Sequence, residues 1–553
     1  MGALDNKGFL GGRAASRCPP LRFKPHSTRN DRALSFDGAV GNVPEVSHLA
    51  RRICFILLAL ILIAGCVPGG AQDAQPNPQG ESSAPSGVNP PGEGGGNTLS
   101  LAVDKTDSLN PFQLTTSLNK SLMPLLYDSL FRMDPGFVSS ELLASGYRFE
   151  ELDCIVNLRP DLRFSDGSAV TAADVVASFN LAKLSPVYQG GLADVLSCEE
   201  RDGALVFRMA RSDGLFTNLL TFPIVKNGTG TQERPVGSGR YRYSGSENAI
   251  ALERNPYTSR AGSRFERVEL IAMPDTASLT SSLRMGVIDY AYADLTGDAE
   301  HSLGSSTKTV PKANLVFLGI NAAREPFGLS QVRKALYLLT DRQALSQRSF
   351  AGKASPAYTP FPPTAKWLPD VEFYDSASKN QVSELLDAAG LSERDGQGMR
   401  LYGERPFSFS LLVNADSQVK VSAAEMLCQQ LREAGLSATV DPQPYERYRQ
   451  RVSGGDFDLY LGEIKLPDNL DLTELLALSG SAASQTAYSQ ALYDDYLLFR
   501  ADPEQADQFI IRFLEQNPFI PLVFRDGAVA FSRSFSSAAV ATEGDIFYNM
   551  DEW

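Results

Sequence analysis

Few residues of this sequence have the types and spacing that support catalysis. Ser117 with Lys120, and Ser376 with Lys379, fit the pattern SxxK, in which a lysine can activate a serine for attack on an acyl carbon. Neither pair is accompanied by SDN or KTG, and GxSxG and HExxH are absent from the sequence. After residue 65 the only histidine is His301, which excludes His-based triads and multi-histidine metal sites from that part. We therefore expect no enzymatic activity, no cofactor and no directly bound metal.

One cysteine has a chemistry set by its neighbours. Arg51 and Arg52 precede the apolar run Ile53–Ala64, which is shorter than the roughly 20 residues of a membrane span and is typical of an export signal. A buried core helix is the alternative, which the arginines and the Pro/Gly/Ser-rich sequence after the run disfavour. The order LIAGC, ending at Cys66, resembles the lipobox of bacterial lipoproteins. That resemblance implies cleavage before Cys66, lipidation of its thiol, and anchoring in the bilayer at the outer face of the cytoplasmic membrane.

The segments around this signal are not expected to join the fold. Residues 1–65 are predicted to be a leader and signal peptide. The first 50 residues are longer than an ordinary positively charged n-region, so either the start codon is over-called, with translation beginning near Val43 or Val46, or the leader is unusually long. Residues 66–97 are rich in Pro, Gly, Ser and Gln and predict a disordered tether.

Charge and cysteine content limit the partners. Nine Lys/Arg and four Asp/Glu lie in residues 1–65, so the net charge of −14 for the whole chain becomes −19 for residues 66–553. Such an acidic protein is not expected to bind nucleic acid. Cys154, Cys198 and Cys428 are too few for a disulfide scaffold. Cys154 and Cys198 could pair, or both could be free and half-buried; Cys428 is predicted to lie in the core on its helix.

Several segments between residues 109 and 295 carry a family resemblance. They are LNPF (109–112), LLYDSLF (125–131), VNLRPDLRFSDGSAVTAADVVASFN (156–180), VGSGRYRY (236–243), ALERNPY (251–257) and LRMGVIDYAYADL (283–295). Together they resemble the extracellular solute-binding proteins of family 5, the peptide and nickel-chelate receptors of ABC importers. The resemblance implies an α/β, two-lobed periplasmic-binding-protein-like fold of type II, with an extra subdomain in lobe I and two hinge crossovers.

The resemblance also predicts the domain boundaries. Lobe I is expected over 98–314, with an inserted subdomain at about 113–234, lobe II over 315–520, and a return to lobe I over 521–553. Such lobes can open and close around a ligand, so that binding becomes a change of shape.

Local patterns agree with this fold. Alternation predicts a strand over Thr98–Val103, and two more extended stretches are expected at 193–197 and 204–209. Asp166-Gly167 predicts a turn, and Thr171 with Asp174 predicts a capping box at the start of a helix.

Lobe II is expected to contain strands and helices in βαβ order. The run LVFLGIN (315–321) predicts a buried strand, and Ser330 is expected to cap the helix that follows. Further predictions are helix 382–389 ending at Gly390, strand 407–413, helix 419–434 ending at Gly435, and strand 457–461.

The candidate ligand residues follow from the resemblance. Members that bind peptides carry a carboxylate for the peptide's α-amino group just after the strand that corresponds to 457–461. Here the sequence departs from the family, because Glu463 stands where Trp is usual, and the aspartate is either replaced by Lys465 or Leu466 or displaced to Asp468. Glu463 or Asp468 could receive an ammonium, whereas Lys465 would favour an anion.

Further candidate ligand residues lie elsewhere in the chain. From the loop 110–116 we expect Gln113, Thr115 and Thr116 to bond a ligand, and by family position Asn321 and Tyr358 as well.

These observations predict a monomeric, membrane-tethered binding protein. Its partners would be a peptide or similar solute and the permease and ATPase subunits of an ABC importer. The alternatives are a tethered peptide-sensing receptor of the same fold and a receptor for an oligosaccharide or a metal chelate.

Overall fold

A computed structural model describes residues 97–246, 249–273, 275–297, 306–369, 379–477, 489–533, 535 and 538–553. Cys66, the tether up to residue 96, His301 and Ser376 lie outside the described residues. No helix within these ranges is long and apolar enough to cross a membrane.

The elements up to residue 294 come first along the chain. They are β1 (Thr98–Val103), α1 (Ser117–Leu126), β2 (Phe131–Met133), β3 (Ser139–Glu141), β4 (Ala144–Glu150), β5 (Asp153–Leu158), α2 (Ala172–Leu184), β6 (Val195–Arg201), β7 (Ala204–Met209), β8 (Tyr241–Gly245), β9 (Ile250–Arg254), β10 (Arg267–Ala272), α3 (Thr276–Met285) and β11 (Tyr290–Asp294).

The later elements include two long strands, β12 and β19. They are β12 (Thr307–Ile320), α4 (Ser330–Leu339), α5 (Arg342–Ala344), β13 (Ala354–Pro356), α6 (Lys379–Ala388), β14 (Leu401–Tyr402), β15 (Arg405–Pro406), β16 (Ser408–Asn414), α7 (Gln418–Glu433), β17 (Ser437–Gln443), α8 (Tyr445–Ser453), β18 (Leu459–Lys465), α9 (Thr473–Leu476), α10 (Gln490–Ala501), α11 (Ala506–Gln516) and β19 (Phe519–Phe531).

One sheet runs through both lobes. Its strand order is β17-β16-β18-β12-β19-β11-β1-β10-β9-β8, and β13 pairs with β19 off this path. The C-terminal part of β12 pairs with β18, and the C-terminal part of β19 pairs with β11. The antiparallel pair β12–β19 is therefore the connection between lobe I, which contains β1–β11 and residues 538–553, and lobe II, which contains α4–α11.

The buried side chains explain why β12 is so apolar. Val316, Leu318 and Ile320 pack into one core of lobe II, whereas Leu315 and Phe317 pack into another. Because alternate residues of a strand point to opposite faces, the sheet is covered on both sides here. The predicted buried strand over 315–321 is thus confirmed as part of a longer strand that begins at Thr307.

A second, four-stranded sheet lies in lobe I, with the order β4-β5-β7-β6. Cys154 on β5 and Cys198 on β6 both lie opposite Phe207 of β7, one on each side. Two strand spacings separate the cysteines by about 9–10 Å, which is beyond the reach of a disulfide. Both thiols are free and buried, as is Cys428, which packs in a core of lobe II as predicted.

Several local predictions are confirmed. The strand Thr98–Val103 has the expected bounds. Thr171 and Asp174 form the capping box of α2, in which the Thr171 amide and hydroxyl both donate to the Asp174 carboxylate. Gly167 has a φ of 85°, as the turn requires, and Gly390 and Gly435 take positive φ just after α6 and α7.

Three local predictions were wrong in detail. Leu329 occupies the N-cap position of α4, with extended backbone, so that Ser330 is the first helical residue and does not cap. The strand expected at 193–197 extends to Arg201, because the turn is confined to Asp202 and Gly203. The strand expected at 457–461 begins at Leu459 and continues to Lys465, because β12 pairs with it as far as Asn314.

Candidate functional site

A cavity of about 810 Å³ lies between the two lobes, within the size range of small-molecule sites. Lobe I lines it with one face of α1, the segment 186–194 and the turn 542–545, and lobe II lines it with residues 464–474. Much of the lining is apolar or aromatic, including Met123, Tyr127, Phe131, Leu142, Val187, Tyr188, Leu219, Ile464 and Leu466. A ligand here would touch both lobes.

The helix α1 presents Lys120, Met123 and Pro124 to the cavity, and Tyr127, the C-cap residue of this helix, lines the cavity as well. Their spacing of three, four and seven residues places them on one helical face. The helix begins at Ser117 because the Thr116 hydroxyl accepts a hydrogen bond from the Asn119 amide. Lys120 thus lies at the ligand space. In the sequence it was noted only as the lysine of an SxxK pattern.

Asp468 is the carboxylate of the 464–468 segment that faces this space. It is partly buried, and among the described residues its carboxylate accepts one side-chain hydrogen bond, from the Thr221 hydroxyl at 3.5 Å. Burial raises the pKa of Asp468, although Lys465 and Lys120 counteract this. Burial and the negative charge of Asp468 both raise the pKa of Tyr188, which lines the same cavity. Asp468 therefore has acceptor capacity left for a ligand.

Lys465 also lines the cavity, but it is ion-paired with Glu543 of the C-terminal turn. Glu543 is 3.5 Å from Lys312, whose ammonium donates to Asp294 at 2.7 Å. Burial raises the pKa of Glu543, but Lys465, Lys312 and Lys120 outweigh this, and the net shift is downward. The positive charge of Lys465 is thus largely neutralised within the protein.

Glu463 does not line the cavity. Its carboxylate lies 2.5 Å from the Lys420 ammonium, accepts from the Asn314 amide at 2.6 Å, and lies 3.4 Å from the Arg525 guanidinium. Burial opposes the fall in its pKa, yet Lys420 and Arg525 hold the pKa below its ordinary value. The strand β18 carries Glu463 into this internal network and away from the ligand space.

The remaining sequence candidates also lie off the cavity lining. Gln113 is exposed, and the Thr115 and Thr116 hydroxyls donate to Asp107 at 2.9 and 2.7 Å. The Asn321 amide donates to the carbonyls of Gly455 and Phe457 at 3.1 and 2.9 Å.

Tyr358 lies elsewhere, in lobe II. Its ring lies 5.1 Å from the Arg342 guanidinium carbon, and its carbonyl accepts from the Tyr337 hydroxyl. Of the eight predicted ligand residues, the structure brings only Lys465 and Asp468 together at the cavity.

A buried charge cluster borders the cavity on the lobe I side. Arg260 lines the cavity and lies 3.6 Å from Asp128 and 3.5 Å from Asp545. Burial raises the pKa of Asp128 to about 6, against the effect of Arg260 and Arg240. No sequence motif pointed to these residues, because Arg260 and the turn that carries Glu543 and Asp545 are far apart in the chain.

No cluster of three or more His, Cys, Asp or Glu side chains suited to a metal ion occurs in the part of the chain that the structure describes.

Comparison with known proteins gives a consistent picture. Residues 144–485 match the family model "Bacterial extracellular solute-binding proteins, family 5 Middle". The chain is 21% identical over 546 residues to the oligopeptide-binding protein AppA of Bacillus subtilis, covering 91% of this chain and 99% of that protein.

Solved structures share the fold at low identity. A nickel ABC transporter protein from Bacillus halodurans superposes with a TM-score of 0.70 at 18% identity, covering 81% of this chain and 97% of its own. The periplasmic murein tripeptide-binding protein MppA, in an unliganded open form, gives a TM-score of 0.67 at 18% identity, covering 79% and 93%.

Proposed function

Because the chain belongs to the bacterial extracellular solute-binding proteins of family 5, we propose that it captures a short peptide between its lobes for an ABC importer. The relative AppA is named as an oligopeptide-binding protein, and the murein tripeptide receptor shares the fold. The cavity between the lobes is where such a ligand would be enclosed, and closure around it would be the signal that the importer reads.

The observation that carries the peptide proposal is the position of Asp468. A peptide's α-ammonium must be neutralised when it leaves water, because an unpaired charge in a closed cleft costs several kcal/mol. Asp468 lies on the cavity wall near Tyr188, and its carboxylate accepts a long hydrogen bond from the Thr221 hydroxyl at 3.5 Å. Within the described residues Asp468 forms no ion pair, so an arriving ammonium would supply a direct charge partner.

The rest of the lining fits peptide side chains and a carboxylate end. Apolar and aromatic walls suit side chains of varied shape. Lys120 is the cation on the α1 face, and it takes part in none of the ion pairs among the described residues. We assign it to the peptide's carboxylate or to a backbone carbonyl.

The first experiment is ligand identification. Native mass spectrometry of the protein as purified, followed by thermal-shift screening of peptides, oligosaccharides and metal chelates, should return peptides with a free amino terminus. Binding of N-acetylated peptides with equal affinity would contradict the role of Asp468. Steady turnover of any ligand that the screen returns would contradict a purely binding role and would favour catalysis by Ser117 and Lys120.

The second experiment compares charge-removing variants against a peptide from that screen. Asp468→Asn should weaken binding by about 2–5 kcal/mol, roughly thirtyfold to several-thousandfold, because it strands the buried ammonium. Glu463→Gln should leave the affinity close to that of wild type, since the Glu463 carboxylate is bonded to Lys420 and Arg525 and does not line the cavity. Glu446→Gln, on the exposed face of α8, is the matched surface control.

A third variant separates the two charge classes at the cavity. If Lys465→Met abolishes binding while Asp468→Asn does not, the ligand presents an anion to this segment, and the peptide-amine assignment is wrong.

We further propose that a lipid on Cys66 holds the protein at the outer face of the membrane. The signal-like stretch 51–66 supports this, and the tether of residues 66–97 would let the lobes reach the permease.

A further inference from the structure

Lobe I touches lobe II at a second place, away from the connecting strands. Asp213 of lobe I and Arg500 of α10 form an ion pair at 2.6 Å, with side chains that are only 7% and 3% exposed. The Asn469 amide donates to Asp213 at 2.7 Å, and Arg500 donates to the Asn469 carbonyl at 2.7 Å. The Gly214 amide donates to the Arg500 carbonyl at 2.7 Å.

Arg211 extends this contact to the rim of the cavity. Its guanidinium bridges Asp194 of lobe I and Asp471 of lobe II, and it donates to the Thr473 hydroxyl at 2.5 Å. All four residues line the cavity. Arg211 therefore joins the two lobes at the edge of the ligand space.

The same contact holds the segment that carries Asp468. The Asn218 amide donates to the Asp468 carbonyl at 3.2 Å, and Thr221 donates to its carboxylate. Asn469 and Asp471, on either side of Leu470, are the residues that Asp213 and Arg211 bind. The position of the Asp468 carboxylate is thus set by lobe I.

An apolar contact accompanies these charges. Phe137 of lobe I is 5% exposed and packs in a core formed mainly by lobe II and the connecting strands, against which Met133 and Leu215 of lobe I also pack. Beside it, the Lys366 amide donates to the Gly136 carbonyl at 3.0 Å, and the Lys366 ammonium is ion-paired with Asp134.

We propose that Arg211, Asp213, Asn469, Asp471 and Arg500 form a latch that holds the lobes together before ligand arrives and positions Asp468 for it. The second part of this inference rests on the proposed peptide-binding function; the first does not. Arg211 acts as a positioning residue, because it contacts the 469–473 segment from lobe I.

The physical basis is that charged side chains can exist in two states. When the lobes part, the side chains of Asp213 and Arg500 are hydrated. When the lobes meet, both side chains lose water, and their ion pair and hydrogen bonds compensate for that loss of hydration. An apolar interface of the same size would not separate so readily, whereas a paired and then hydrated contact gives two arrangements of similar free energy.

The test uses the full chain purified without added ligand, compared by hydrogen exchange and small-angle X-ray scattering. Arg211→Gln should speed exchange in peptides covering 211–218 and 468–473 by about tenfold, as expected for the loss of charge-assisted hydrogen bonds, and should increase the radius of gyration. Arg211→Lys keeps the charge but not the planar guanidinium group. Its exchange rate and radius of gyration should lie between those of wild type and Arg211→Gln.

Arg208→Gln is the matched control. Arg208 is ion-paired with Asp153 at 2.9 Å on the small sheet of lobe I, so its loss should leave exchange at 468–473 unchanged. Asn469→Ala gives an independent arm that avoids stranding Arg500, and it should act in the same direction as Arg211→Gln.

Exchange and radius of gyration equal to wild type in both Arg211→Gln and Asn469→Ala would overturn the latch. An equal effect of Arg208→Gln would overturn it as well, since it would indicate general loosening of lobe I. Because the measurement needs no ligand, the latch can fail while peptide binding stands, and the reverse.

Discussion

Asp526 offers a sharp test of how burial affects a charge in this fold. It lies on β19, 4% exposed, where this strand connects the lobes. Its carboxylate accepts from the Ser355 hydroxyl at 2.8 Å, and burial raises its pKa to about 7, despite Ser355 and Lys312. We predict that Asp526→Asn stabilises the protein.

The magnitude follows from the pKa. A native pKa of about 7 against an ordinary value of 3.8 corresponds to on the order of 4 kcal/mol, at about 1.36 kcal/mol per tenfold change. Structural relaxation around a buried group reduces this, so that about 2–4 kcal/mol is expected. Asparagine keeps the size of the side chain and an oxygen that can accept from Ser355.

The pH dependence gives the sign. Between about pH 4 and pH 7 the native state holds a proton that the unfolded state has released, so the contribution of Asp526 to stability falls as pH rises through this range. The advantage of Asp526→Asn should therefore be small near pH 4, larger at pH 5 and complete above about pH 7.

The assay is thermal unfolding at pH 5 and pH 8. The midpoint of Asp526→Asn should exceed that of wild type by a few degrees at pH 8 and by less at pH 5. Asp494→Asn, at an exposed position of α10, should leave the midpoint nearly unchanged. A midpoint at pH 8 equal to or below that of wild type would refute the burial argument.

Three other predictions concern packing, thiols and anchoring. Gly319→Ala should destabilise the protein by about 1–3 kcal/mol, because its Cβ would lie 1.9 Å from the Tyr460 ring, whereas Gly146→Ala on β4 has open space; equal unfolding midpoints for the two would count against this. Cys154 and Cys198 should not react with a thiol reagent at neutral pH until the protein is unfolded, since burial raises the pKa of each to about 12, and fast labelling of the native protein would disprove it. Cys66→Ala should release the protein from membranes or leave an unprocessed precursor; a variant that stays membrane-bound at normal mass would rule out lipidation.

Local features of this fold could be predicted from sequence because neighbouring residues determine them. The capping box of Thr171 and Asp174 needs only residues three apart. The buried strand at 315–321 is visible in its unbroken apolar run. Pairing between elements was harder, as the open question of Cys154 and Cys198 shows. Their separation depends on β7 lying between β5 and β6, which no residue spacing reveals.

The ligand site shows the same limit more clearly. Glu463, Lys465 and Asp468 are close in sequence and could not be ranked by it. Pairing of β18 with β12 and β16 carries Glu463 towards Lys420 and Arg525, and leaves Asp468 beyond the strand end, on the cavity wall. Lys120, Arg260 and Glu543 complete the site from three distant segments.

The composition of the connecting strands follows from what they must do. Where β12 and β19 pass between the lobes, the register shifts between Val310 and Asn314, and apolar residues give way to Lys312, Arg525 and Asp526, each 4% exposed. Lys312 is bonded to Asp294 of lobe I, while Arg525 lies beside Glu463 of lobe II. Interlocked apolar side chains are close-packed and resist bending, whereas long charged side chains can keep their partners as the backbone turns. Buried charged side chains at the crossover therefore suit a connection that bends. The loss of folding stability from burying Asp526 would have no such role in a rigid connection.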